Sequence, residues 1–89
     1  MITKKTLYNQ LNKLLQKTKT MECIDYTWHT NSASIDLYDI ISEKGEKEKL
    51  FFQEVDWLND NLKKYYQTEL KKFYYEYEIG AQARIFIFW

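Results

Sequence analysis

The chain has 89 residues, 45% of them apolar and 18% aromatic, with 13 Lys and Arg against 13 Asp and Glu, one His, one Cys, two Gly and no Pro. One core at this length buries roughly 60 to 65% of the surface that the unfolded chain exposes, enough for a single domain and too little for a second. The aromatic content excludes the disordered and collagen-like classes, and a lone Cys23 excludes a disulfide framework within the chain.

Leu7, Leu11, Leu14 and Leu15 fall at the i, i+4, i+7, i+8 spacing of one helical stripe, which predicts a helix over residues 4–18 with Thr3 as its N-cap. Lys5, Asn9, Lys13 and Lys17 then run down the opposite, solvent side. From Met21 the period changes to two: Ile24, Tyr26 and Trp28 alternate with Cys23, Asp25 and Thr27, as in a half-buried strand. A turn is expected at residues 29–32. Ile35 and Leu37 continue the alternation in a second strand, until a phase shift at Ile40 and Ile41 marks a bulge or the strand's end. Residues 43–47, with Gly45, read as a hairpin loop, and Leu50, Phe51 and Phe52 as the start of a third strand.

Val55, Leu58, Leu62, Tyr65, Tyr66, Leu70, Phe73, Tyr74 and Tyr77 recur at three- and four-residue intervals, which predicts a helix over residues 54–78 with Gly80 just past its end. A competing reading ends that helix near Lys72 and makes residues 73–79 a strand, hairpinned through residues 80–82 to the last one. Residues 83–88 are a strand in both. Its Ile85, Phe86, Ile87 and Phe88 leave no polar side, so a central place in the sheet is expected. The fold class is α+β, a two-layer αβββαβ arrangement with an antiparallel sheet (αβββαββ in the competing reading), and one sheet face is expected to stay partly open.

Catalytic constellations are sparse. Cys23 and His29 on one strand would be about 20 Å apart, beyond contact, and two such residues cannot build a zinc site. The acid pairs Asp36 and Asp39, Glu46 and Glu48, and Glu54 and Asp56 read more readily as solvated surface than as cation ligands. Gly45 and Gly80 are isolated, so no phosphate-binding loop can be drawn. The expectation is a non-enzymatic domain without cofactor or metal. A reducing cytoplasm suits the single Cys, and neither a signal peptide nor a membrane span is expected.

The zero net charge conceals an asymmetry. Five lysines and no acid lie in residues 1–20, ten acids and three lysines in residues 21–62, and five basic against three acidic residues beyond. Asp36, Asp39, Glu43, Glu46, Glu48 and Glu54, with Tyr26 and Trp28, are therefore the expected contacts to a protein partner with a basic surface. Acting through that acidic and aromatic surface, the domain would be an inhibitor or accessory protein, of the kind phages and mobile elements often encode. The alternative is nucleic-acid binding through Lys5, Lys13 and Lys17, with Lys63, Lys64, Lys71 and Lys72 extending the track and Tyr26, Trp28 or Phe86 stacking on bases. A solvated sheet and a solvated lysine face are the plainer readings of both charge sets. Sixteen aromatic side chains exceed what one small core needs, which points to a second copy of the chain or another protein closing the open sheet face.

Overall fold

The Thr3 hydroxyl accepts the Thr6 N–H at 3.2 Å, and from this cap the first helix, α1, runs Lys4–Leu15. The computed structural model describes residues 3–40, 46–73 and 82–89. Beyond α1 these form β1 (Met21–Trp28), β2 (Ser32–Asp39), α2 (Glu46–Lys63), β3 (Gln67–Lys72) and β4 (Ala83–Phe88). The class is α+β, and the sheet is antiparallel throughout, in the order β1-β2-β4-β3.

One face of the sheet holds the core. Ala33, Ile35 and Leu37 of β2 and Ala83, Ile85 and Ile87 of β4 are buried there at alternate positions. They join Leu7 and Leu11 of α1, and Phe51, Val55, Leu58 and Leu62 of α2, in a single cluster. Burying each Leu, Ile or Phe contributes about 1.5–3 kcal/mol, so this cluster is the main source of stability. Both helices therefore lie on the same side. The opposite face exposes or half-exposes every described side chain it carries, which is the partly open face expected from the helix count.

β4 takes the central place that its apolar character called for, between β2 and β3. Two other expectations change. Leu50, Phe51 and Phe52 lie in α2 and do not begin a strand: Phe51 joins Val55, Leu58 and Leu62 on one helical stripe, while Leu50 points outward at 45% exposure. The same helix stops at Lys63 and does not run to residue 78. Tyr65 and Tyr66 N–H groups close it on the Leu62 carbonyl, and Gln67–Lys72 pairs residue for residue with β4. The reason is non-local. β4 offers a free edge beside β2, and Thr68 and Leu70 alternate correctly to complete it, which outweighs a helical spacing that Leu70 also fits. The helix end near Lys72 in the competing reading is corrected as well, because Gln67–Lys72 is already strand and pairs antiparallel with β4. Its strand over 73–79 and its turn through Gly80 fall mostly on residues 74–81, which lie outside the described residues; of the loop expected at 43–47, residues 43–45 lie outside them too, while 46–47 begin α2.

The phase shift at Ile40 is the end of β2. The bulge is in β1 instead, where the register with β2 slips between Cys23 and Asp25. Its consequence is a change of face: Cys23 opposes Leu37 on the core side, whereas Asp25 opposes Asp36 on the open side.

Candidate functional site

α1 lies alongside β1, which among the described residues has only β2 as a neighbour and stands at the edge of their sheet. Between helix and strand is a groove of about 530 Å³, lined on one side by Tyr8, Leu11, Asn12, Leu15 and Gln16 and on the other by residues 21–23, 25 and 26. The i, i+4, i+8 spacing of Tyr8, Asn12 and Gln16 sets them along one flank of α1, beside the stripe that Leu7 and Leu11 bury in the core. Tyr8 is 51% exposed, and its ring meets Tyr26 edge to face with centroids 5.8 Å apart.

The groove has an acidic rim and a neutral, aromatic floor. Glu22 and Asp25 are exposed, and among the described residues neither enters a salt bridge. The Asp25 carboxylate accepts the Tyr26 N–H at 2.8 Å, which occupies a backbone donor next to the bulge and blunts the strand edge. Cys23 is half-buried; its thiol donates to the Asp25 carbonyl at 3.4 Å. Burial pushes this thiol above its usual range, with smaller upward contributions from Asp36, Asp25 and Glu22. At neutral pH it is protonated and a poor nucleophile. Burial likewise raises the Tyr26 hydroxyl, which finds no hydrogen-bond partner among the described residues.

The acids expected to act together are dispersed. Asp36 is on the open face, where its two oxygens take Nε and Nη2 of Arg84, Nη2 at 3.1 Å. The same contact raises the Arg84 guanidinium further above its ordinary value. Asp39 is buried on the other face and its N–H donates to Gln82 Oε1 at 2.9 Å. Glu54 is engaged inside the fold, accepting the N–H groups of Lys19 and Thr20 at 2.9 and 2.8 Å. Glu43 lies outside the described residues; Glu46 and Glu48 belong to α2, and their side chains also lie outside them.

Tyr26 lines the groove, while Trp28 packs on Trp89 with centroids 4.7 Å apart. Neither presents a free ring on the open sheet face. Phe86 does lie on that face, half-exposed. Lys5, Lys13 and Lys17 are exposed, on α1 or just after it. The lysine track does not continue along one surface: Lys71 is on the open face, and Lys72 on the helix-bearing face, where its Nζ is 2.9 Å from Asp56 and lies over the Phe52 ring.

Tyr8 and Glu22 are groove residues that sequence reasoning did not single out among its contacts, whereas Asp25 is one of the acids of the segment it set against a basic partner. Tyr8 was visible as an aromatic beside the leucine stripe of α1, but its pairing with Tyr26 depends on how helix and strand pack. Among the described residues, no three His, Cys, Asp or Glu side chains converge as metal ligands, and no helix is long and apolar enough to cross a membrane. No known protein family, curated protein sequence or solved structure matches the chain.

Proposed function

We propose that this domain is a non-enzymatic protein-binding module whose α1–β1 groove receives an extended segment of a partner protein. The supporting observation is the groove itself: about 530 Å³ beside β1, with Tyr8 and Tyr26 as its aromatic wall and, on its rim, Glu22 and Asp25, which form no salt bridge among the described residues. That chemistry suits a segment with an aliphatic or aromatic anchor next to a Lys or Arg. The bulge and the capped Tyr26 N–H interrupt main-chain pairing along β1, so recognition rests on side chains more than on strand addition. A module of this kind acts by occupying its partner, as an inhibitor or accessory protein does, and the protonated single thiol suits a reducing cytoplasm.

Selection from a library of random peptides tests the reading. Enriched peptides should carry a basic residue beside an apolar anchor, protect Cys23 from alkylation, and lose binding by tenfold or more (about 1.4 kcal/mol) in Tyr8→Ala and Glu22→Lys. Peptides that bind both variants as well as the parent refute the groove. Salt-sensitive binding of a single-stranded oligonucleotide that is lost on charge reversal of Lys5 and Lys13 would favour nucleic acid instead.

A further inference from the structure

We infer that the open sheet face is the contact between two copies of this chain, related by a two-fold axis that runs along the strands between β2 and β4. The argument starts from one row of residues. Asp25 opposes Asp36, Asp36 opposes Arg84, and Arg84 opposes Lys71, so a single rung across β1, β2, β4 and β3 reads acid, acid, base, base. Only the middle pair is an intramolecular ion pair. The outer two juxtapositions are like charges on adjacent strands, which destabilise a sheet.

A rotation axis along the strands, lying in the interface, exchanges the two ends of this rung. Asp25 of one copy then lies over Lys71 of the other, and Asp36 over Arg84. An axis in the interface but across the strands would set each residue of the rung over its own copy, acid on acid and base on base. Charge thus selects one of the two face-to-face arrangements. The neighbouring rungs agree in shape. Ser34 opposes Phe86 and Ser32 opposes Phe88, so small side chains form a trough on β2 beside an aromatic ridge on β4, and the same axis lowers each ridge into the partner's trough. Phe88 is 37% exposed on this face.

Four strands about 4.8 Å apart and six residues long give a face of roughly 19 by 20 Å, about 380 Å² a side, which makes the contact a weak, concentration-dependent one. Twisted sheets packed face to face cross at about 30°, which a two-fold axis near the strand direction accommodates. The dimer shares Asp25 with the rim of the α1–β1 groove but leaves the groove's Tyr8–Tyr26 wall, on the helix-bearing side of the sheet, accessible; the inference rests on the charge order of the rung and not on the binding role proposed for that groove.

Charge complementation tests it without touching the core. Asp25 and Lys71 are both exposed, so Asp25→Lys and Lys71→Glu should fold, as circular dichroism will show. By sedimentation equilibrium up to about 500 µM, well above the micromolar range expected of so small an interface, the parent chain should approach twice its 11.0 kDa mass. Each variant alone sets like charges against each other at both ends of the rung and should stay at 11.0 kDa. An equimolar mixture restores opposite charges at both ends and should regain the double mass. A parent chain that remains monomeric over this range overturns the inference, as do variants that dimerise like the parent or a mixture that stays monomeric.

Discussion

Thr20 binds one oxygen of Glu54 twice, through its backbone N–H at 2.8 Å and through its hydroxyl, and Thr20 itself is fully buried. Lys19 N–H reaches the same carboxylate. A single α2 side chain therefore terminates the loop from α1 to β1 and fixes the height at which β1 enters the sheet. Replacing it by Ala strands a buried hydroxyl and N–H. Glu54→Ala should destabilise the domain by about 2–3 kcal/mol in urea unfolding, and Glu54→Gln, which keeps one acceptor, by about half that. A loss below about 0.5 kcal/mol for the alanine variant would contradict this arrangement.

Neighbouring residues at the start of α2 should respond in opposite ways. Phe51 is fully buried and Leu50 is 45% exposed. Phe51→Ala should cost about 3–5 kcal/mol, a large share of the stability of so small a domain, whereas Leu50→Glu should stay within about 0.5 kcal/mol of the parent. Equal losses would indicate that the two side chains are buried alike, contrary to a helix with Phe51 on its inner stripe.

Thr68 faces the core from β3 opposite Ile87, and its hydroxyl has no partner among the described residues. Thr68→Val keeps the branched shape that a strand favours and removes the unsatisfied group. The variant should gain about 1 kcal/mol, read as a rise of several degrees in Tm.

Alkaline pH should unfold the protein early. Burial raises the Cys23 thiol above its ordinary 9.0, and the Tyr26 and Tyr66 hydroxyls above 10.0. Groups whose folded pKa is raised contribute stability that is complete below the unfolded value and is lost as pH climbs through the folded one. Tm should therefore hold steady up to about pH 8.5 and fall above pH 9 to 10, with the first part of the fall missing in Cys23→Ala. A fall that begins at the same pH in that variant would exclude the thiol as its source.

Local signals were legible in the sequence and non-local ones were not. Thr3, Leu7 and Leu11 mark α1 because a cap and a stripe are properties of neighbouring residues, and Ile35 and Leu37 mark β2 by simple alternation. Leu50, Phe51 and Phe52 misled because three successive apolar residues fit either period. Leu70 misled because its distance from Leu62 and Tyr66 suits a helix, while its partner, Ile85, is fifteen residues away. The candidate surfaces were the least legible. Tyr26 stood out as an aromatic, but the α1–β1 groove needs both the packing of α1 and a bulge that no residue type announces. The Asp36–Arg84 pair spans 48 positions, and nothing near Asp36 distinguishes it from Asp39, which the pleat sends to the opposite face.

The place of β4 also governs when this protein can fold during its synthesis. Among the described residues β3 has β4 as its only neighbour, and β4 fills the edge of β2. Until residues 83–88 emerge from the ribosome, β1 and β2 can pair, but β3 lacks its partner β4 and the buried face lacks Ala83, Ile85 and Ile87. Folding therefore waits for the strand that joins β2 to β3, and until β4 arrives the two lie on either side of an unfilled gap.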